Sequence, residues 1–213
     1  MHYLKSFKFI FVLLFDINRR ITSGIKKRYY YYLTNVSFIA NRIDYSTINT
    51  LGIPIVQIAR SGKCEIGDNF SCVNNPKSST LGINRRCKLL VYQQALLKIG
   101  NNVGMSNTTI VATKYVEIGN NVMIGGGVTI MDSDFHSLNP IHWHTKYDEM
   151  YMESRPVKIS DNVFIGMKSI ILKGVTIGSG VIIAAGSVVS KDIPDNQIWG
   201  GNPAVFIKNN TNN

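Results

Sequence analysis

The residues that could carry chemistry stand together at a break in an otherwise regular sequence. Asp132, Asp134 and His136 occur in the segment DSDFH, and a stretch without regular apolar spacing follows over about residues 136–158. Imidazole is the natural base near neutral pH, and a neighbouring carboxylate can orient it and stabilise its cation. We therefore predict His136 as a general base with Asp134 as its carboxylate, while a histidine on an ordinary surface loop is the alternative.

The long irregular stretch also holds candidates for substrate contact. An excursion of about 22 residues without repeat character is typical of a functional loop. The predicted ligand contacts in this loop are its aromatic and polar side chains Trp143, Tyr147, Asp148, Tyr151 and Arg155, with packing of the loop on itself as the alternative. No GxSxG segment is present, so no serine nucleophile is predicted.

An aliphatic residue recurs at every sixth place in the sequence, and this repeat determines where the candidate residues lie. From residue 159 onward every sixth residue is aliphatic, namely Ile159, Ile165, Ile171, Ile177, Ile183 and Val189. The same spacing appears upstream from Ile99 and Ile118. A period of six fits neither an α-helix nor a heptad, but it fits three short strands per coil with tight turns between them. Coils stacked about 4.8 Å apart would form a three-sided prism of about five turns, with an earlier excursion near residues 73–92.

The composition of the chain excludes several other classes of protein. The chain has 213 residues, of which 45% are hydrophobic and 17% charged, so a packed core is expected and disorder is not. No apolar run is long enough for a membrane-spanning helix. Three cysteines without a CxxC pair argue against a disulfide scaffold or a structural zinc site, and favour a cytoplasmic protein.

The N-terminus is basic and apolar. Residues 1–35 carry seven Lys or Arg and one acid, within a formal net charge of +10 for the chain. We predict one or two helices over residues 3–34, broken near Ser23–Gly24. Two roles stay open for this segment: peripheral contact with the inner membrane surface, or a solubilising helix face. Nucleic-acid binding has no motif behind it.

The C-terminal part resembles a known family. The segment GVTIGSGVIIAAGSVVSKDIPDNQIWGGNPAVFIK, residues 174–208, is similar to the ending of hexapeptide-repeat acyltransferases of the maltose/galactoside and polysaccharide O-acetyltransferase branch. The resemblance implies an all-β fold, a left-handed parallel β-helix, over residues 61–208. An N-terminal helical or irregular segment would then occupy residues 1–60.

The resemblance also implies a reaction and its site. It implies acetyl-CoA as the acyl donor, no metal, direct acetyl transfer to a sugar hydroxyl and His136 as the base. The residues it implies for the cofactor are Gly125, Gly166, Met167, Ala184, Ala185, Ser190, Lys191 and Lys208. At the family's acceptor asparagine this chain has Ser106, with Asn107 next to it, and Asp132 is a further acceptor candidate.

The family's active sites form between subunits of a homotrimer, so the resemblance implies that one chain supplies His136 and its neighbour much of the cofactor groove. The predicted pathway is the biosynthesis of a surface or capsule polysaccharide, and the predicted acceptor is a lipid-linked sugar. Three alternatives stay open: an N-acetyltransferase acting on an amino sugar, a non-catalytic β-helix scaffold, and a metal-dependent lyase of the carbonic anhydrase type. The lyase would need histidines on adjacent coils, whereas His136, His142 and His144 share one loop.

Overall fold

The computed structural model describes residues 2–75, 82–83 and 85–211. It begins with one long helix, α1 (His2–Ala40). The predicted break near Ser23–Gly24 does not occur, because the helix is continuous through Gly24. A single glycine in an exposed helix costs only about 1 kcal/mol, which the neighbouring turns tolerate. Among the described residues, no helix is both long and apolar enough to cross a membrane.

Among the described residues, twenty short strands follow the helix. They are β1 (Asp44–Tyr45), β2 (Ile48–Leu51), β3 (Ile55–Ile58), β4 (Lys63–Ile66), β5 (Phe70–Val73), β6 (Lys88–Val91), β7 (Leu96–Ile99), β8 (Gly104–Ser106), β9 (Thr109–Ala112), β10 (Tyr115–Ile118), β11 (Met123–Ile124), β12 (Thr129–Met131), β13 (Val157–Ile159), β14 (Phe164–Ile165), β15 (Ile170–Ile171), β16 (Thr176–Ile177), β17 (Ile182–Ile183), β18 (Val188–Val189), β19 (Gln197–Gly201) and β20 (Ala204–Asn209).

The strands form three sheets whose neighbours run parallel. Sheet A has the order β1-β4-β7-β10-β13-β16, sheet B the order β2-β5-β8-β11-β14-β17-β19-β20, and sheet C the order β3-β6-β9-β12-β15-β18. Each successive set of three strands is one coil, and β20 closes the end as an antiparallel partner of β19. The predicted all-β fold, a left-handed parallel β-helix, is confirmed.

The prism is longer than the repeat indicates. Strands β1–β3, within residues 44–58, are the first members of the three sheets, so the β-helix includes residues ahead of position 61. This first coil lacks the Ile-Gly pattern that marks the later ones, and its residues alternate instead between buried and exposed, as in β2. There are therefore six coils rather than the five estimated from the repeat.

The aliphatic residues of the repeat fill the axis. In sheet A, Ile99, Ile118, Ile159 and Ile177 lie in adjacent register, and each is at least 98% buried. Burying an isoleucine side chain contributes about 1.5–3 kcal/mol, so the stack is the main source of stability. The predicted inward position of every sixth residue is confirmed.

Three corners join the sheets, here called A–B, B–C and C–A after the sheets that meet there. At the A–B corner, Asn69, Asn102, Asn121 and Asn162 adopt positive φ. Asparagine tolerates this conformation better than other non-glycine residues. Their side-chain amides also hydrogen-bond from coil to coil at 3.0–3.2 Å, which explains the repeated asparagine at this turn.

Two excursions leave the prism. The first runs from Asn74 to Cys87 and lies partly outside the described residues; it is shorter than the predicted 73–92, since residues 88–91 form the regular strand β6. The second leaves the C–A corner after β12 and returns at β13, so it spans residues 132–156 rather than 136–158. Cys64, Cys72 and Cys87 are all buried and free.

Candidate active site

The second excursion, here called the catalytic loop (residues 132–156), is anchored by a buried carboxylate. Asp132 is fully buried, and its two oxygens accept hydrogen bonds from the backbone N–H groups of residues 113–115 and from the Thr113 hydroxyl, all at 2.7–2.8 Å. The Arg155 N–H closes the loop by donating to the Asp132 carbonyl at 2.9 Å. Asp132 therefore holds two coils together, and the prediction that it contacts the acceptor is not supported by its position.

A lysine from the next coil ties the two legs of the catalytic loop together. Lys173 Nζ lies 3.0 Å from Asp134 Oδ2 on one leg and 2.5 Å from Glu153 Oε2 on the other. The hydrogen bond from Lys173 lowers the pKa of Glu153. Burial works to lower the pKa of Lys173, but its hydrogen bonds to Glu153 and Asp134 outweigh this and raise it. Asp134 is thus engaged with Lys173, and it is not the carboxylate that orients His136.

That carboxylate is Asp148, in the short helix α2 (Tyr147–Met150). His136 Nδ1 lies 2.7 Å from Asp148 Oδ2, and the Ser137 N–H donates to Asp148 Oδ1 at 2.8 Å. These two bonds lower the pKa of Asp148, so it is an ionised acceptor near neutral pH. Nδ1 must then be the protonated nitrogen of His136, which leaves the lone pair on Nε2 for a substrate proton.

The pair borders a small open pocket. A cavity of about 310 Å³ is lined by His136, Trp143, His144 and Asp148. The Trp143 indole N–H donates to the Ser137 carbonyl at 2.7 Å, which fixes the ring, and 48% of the residue stays exposed. The His136 side chain is 73% exposed. The pocket therefore presents an exposed imidazole and an aromatic face to solvent.

Two other predicted contacts of the catalytic loop have different surroundings. Tyr147 is one of several tyrosine and histidine rings packed on one another; its ring lies 6.3 Å from that of Tyr151, which stacks on His142. Arg155 pairs with Glu153 at 3.1 Å. Among the described residues, neither Tyr147 nor Arg155 is part of the pocket lining.

The predicted acceptor residues on coil three lie at the B–C corner, whereas the catalytic loop leaves from the C–A corner. Asn107 is 99% buried, and its side-chain amide donates to the Arg85 carbonyl, so within this chain it does not face a ligand. Ser106 is half-buried beside it, and its carbonyl accepts from the Gly127 N–H at 3.1 Å.

Close stacking explains the glycines predicted at the cofactor site. A Cβ on Gly125 would lie 2.6 Å from the Met167 nitrogen, and one on Gly166 would lie 2.4 Å from the Ala185 nitrogen. These distances are too short for any side chain, so the spacing of adjacent coils itself requires glycine at both positions. Neither glycine needs a cofactor to account for it.

The remaining cofactor candidates fall into two groups. Met167 lies at the B–C corner of one coil, and Ala184 and Ala185 lie at the same corner of the next coil; all three are half-buried or exposed. Ser190 and Lys191 are exposed at the C–A corner of the last coil, and Lys208 is exposed on β20 opposite Ile198. Within the described part of the chain, no group of three or more His, Cys, Asp or Glu residues is arranged to hold a metal ion.

Sequence reasoning missed two residues of this site. Asp148 stood only among the predicted ligand contacts of the loop, because it lies twelve positions after His136 in a segment that carries no repeat from which their distance could be inferred. Lys173 had no role at all. Its position in the coil that follows the catalytic loop, in the same C–A corner, is the signal from which its contact with the loop could have been inferred.

Comparison with known proteins agrees with this architecture. Residues 156–191 match the family model of the bacterial transferase hexapeptide, six repeats. The chain is 41% identical over 114 residues to galactoside O-acetyltransferase of Escherichia coli K12, covering 53% of each chain. It is 28% identical over 175 residues to WbbJ of the same strain, a protein named for lipopolysaccharide biosynthesis O-acetyl transfer, covering 80% of this chain and 83% of that one.

A solved structure, galactoside acetyltransferase in complex with coenzyme A, superposes with a TM-score of 0.51 at 26% identity and covers 78% of this chain and 66% of that one. The chain spans about half the length of several curated relatives that it matches. By its repeat and its three-sheet prism the chain has the left-handed parallel β-helix fold, and its sequence is similar to hexapeptide-repeat acetyltransferases.

Proposed function

We propose that the protein is an acetyl-CoA-dependent O-acetyltransferase that acts on a sugar hydroxyl, with His136 as the general base. The observation that carries this proposal is the hydrogen bond between His136 and Asp148 at the edge of the pocket. Similarity to galactoside O-acetyltransferase, and to a galactoside acetyltransferase whose structure is a complex with coenzyme A, supports the reaction class.

In the proposed reaction His136 takes the proton of the sugar hydroxyl through Nε2 while that oxygen attacks the thioester carbonyl. The new carbon–oxygen bond forms, the carbon–sulfur bond breaks, and the imidazolium returns the proton to the departing thiolate. Asp148 holds the imidazole in the required tautomer and stabilises its cation. Positioned bases of this kind contribute about 10²- to 10⁴-fold to rate.

The pocket suits a small acceptor. Its volume of about 310 Å³ lies at the low end for ligand sites, which fits one sugar ring better than an extended oligomer within the pocket itself. The exposed face of Trp143 can stack on that ring, and His144 is a second polar contact. Similarity to WbbJ, which is named for lipopolysaccharide biosynthesis, supports a surface polysaccharide as the acceptor. We propose that the acceptor sugar is lipid-linked.

For the donor, the chain offers small side chains at the B–C corner and exposed lysines at the C–A corner and on β20. Ala184 and Ala185 would let a pantetheine arm approach the backbone, and a Cβ placed on the adjacent Gly186 meets no atom within 4 Å. Lys191 and Lys208 are exposed and would pair with coenzyme A phosphates as mobile point charges. These residues fit coenzyme A, which brings the acetyl thioester to the site.

A homotrimer is part of the proposal, because one chain places these groups at different corners. The outer face of sheet B also carries exposed Met123 and Phe164 in register with Ile182 and Ile198, an apolar column suited to a neighbouring chain. In such an assembly the catalytic loop of one chain would meet the B–C corner of the next. Sedimentation equilibrium of the full chain tests the stoichiometry, and Phe164→Glu should dissociate the assembly.

The activity test is acetyl-CoA turnover with a panel of sugar acceptors. His136→Ala should lower kcat by about 10²-fold or more. Tyr92→Ala is the matched control, since Tyr92 is an exposed ring at the C–A corner two coils earlier, and it should leave turnover unchanged. Retained activity in His136→Ala would contradict the assignment of the base. NMR of the product distinguishes an ester from the amide that an N-acetyltransferase would make. If isothermal titration calorimetry detects no binding of coenzyme A, a non-catalytic scaffold is favoured.

A further inference from the structure

Helix α1 leaves an apolar face without a partner. Its C-terminal turns pack on the first coil through buried Thr34 and Phe38; the Thr34 hydroxyl lies 3.1 Å from that of Thr50, and the Phe38 ring meets Tyr45 edge-on. On another face lies a row of apolar residues, each 46–66% exposed, here called the α1 stripe: Ile21, Ile25, Tyr29, Tyr32, Val36 and Ile39.

The α1 stripe faces away from the β-helix. At about 100° per residue its six positions fall within an arc of about 80°, centred roughly 150° from the direction of Thr34 and Phe38. It runs along about 27 Å of helix. The prism therefore leaves the stripe open to another surface along its full length.

The charges beside the stripe decide what that surface is. Lys26 and Arg28 flank it on both sides, and both are exposed. Residues 2–40 contain seven Lys or Arg and one acid, Asp16. A second copy of the helix would bring like charges together with almost no acid to pair them, which disfavours helix–helix pairing. An anionic lipid surface would instead attract the cations that flank the stripe, Lys26 and Arg28.

We propose that α1 lies on an anionic bilayer through the α1 stripe, with the β-helix on the far side of the helix from the lipid. Ile21 and Ile25 enter the boundary between headgroups and acyl chains. Tyr29 and Tyr32 sit at the headgroup level, where an apolar ring with a polar tip is favoured. Lys26 and Arg28 reach lipid phosphates from the two edges of the stripe.

Vesicle sedimentation of the full chain tests this proposal without any assay of activity. The protein should sediment with vesicles of equal parts phosphatidylcholine and phosphatidylglycerol and remain in the supernatant with phosphatidylcholine alone. Lys26→Gln/Arg28→Gln should weaken binding about tenfold or more, and Ile25→Ser/Tyr32→Ser should do the same by removing apolar contact. The matched control is Lys63→Gln/Lys98→Gln, which removes two exposed lysines from sheet A and should bind like the wild type.

Three results would overturn the proposal. One is wild-type protein that stays in the supernatant with the anionic vesicles. Another is equal binding to neutral and anionic vesicles. The third is a stripe variant that retains full vesicle binding but loses an oligomeric state, since the partner of the stripe would then be a second copy of the chain. Circular dichroism of each variant confirms that the helix is retained, so that a loss of binding is assigned to the surface.

Discussion

Nδ1 of His136 lies 2.7 Å from Oδ2 of Asp148, and the same carboxylate accepts the backbone N–H of Ser137 through its other oxygen. The carboxylate thus fixes both the ring and the backbone beside it. Of the two acids that could serve His136, Asp134 is held by Lys173 at 3.0 Å. This assigns orientation of the His136 ring to Asp148 and anchoring of the loop to Asp134.

Replacing each carboxylate by its amide tests this division. In Asp148→Asn the amide can donate to Nδ1 and stabilise the wrong tautomer, so kcat for acetyl transfer should fall about 10²-fold or more. Asp134→Asn is the matched control and should cost less than about tenfold. Steady-state kinetics on both variants checks the prediction, and a larger loss in Asp134→Asn would return the role to Asp134.

Lys173 should control the mobility of the catalytic loop. Without its ammonium group, Lys173→Met leaves Asp134 and Glu153 facing each other as two carboxylates, which repel. Amide hydrogen exchange across residues 133–154 should become about tenfold faster or more, because the legs of the loop open more often. Lys158→Met removes an exposed lysine of β13 and should leave exchange in the loop unchanged. Equal protection of the loop amides from exchange in the two variants would show that Lys173 does not restrain the loop.

The repeat predicted the prism but not the arrangement of the loop. Ile159 and Ile177 could be placed on the axis because a period of six has one geometric solution, and their burial follows from that solution alone. The catalytic loop has no period, so the sequence offered Asp134, two residues from His136, as its partner. The real partner, Asp148, depends on how α2 folds back, which no local pattern specifies.

Asp132 should act on stability. Asp132→Ala leaves the backbone N–H groups of residues 113–115 without their acceptor in a buried corner, and we expect a loss of about 3 kcal/mol or more in the free energy of unfolding. Asp192 is the matched control: it is exposed and accepts one N–H, from Thr176, at 2.7 Å, so Asp192→Ala should cost about 1 kcal/mol. Urea denaturation at one fixed protein concentration measures both losses. Equal losses would contradict a special role for Asp132.

The ion pairs of the catalytic loop should give it a defined pH window. The folded pKa of Glu153 lies below its ordinary value of 4.5, so its stabilisation is present above that value and is lost as the pH falls through the folded pKa. The folded pKa of Lys173 lies above its ordinary value of 10.5, so its stabilisation is complete below that value and is lost as the pH rises through the folded pKa.

Trp143 reports on this window, because its indole N–H is bonded within the loop. In a Trp199→Phe background, Trp143 emission should change as the pH falls below about 5 and again as it rises above about 10, where the ion pairs of the loop are lost. Far-UV circular dichroism on the same samples should show an intact β-helix at both transitions. Lys173→Met in this background should abolish the alkaline transition, since no ammonium group remains to titrate. An alkaline transition that persists in that variant would mean that another group holds the loop.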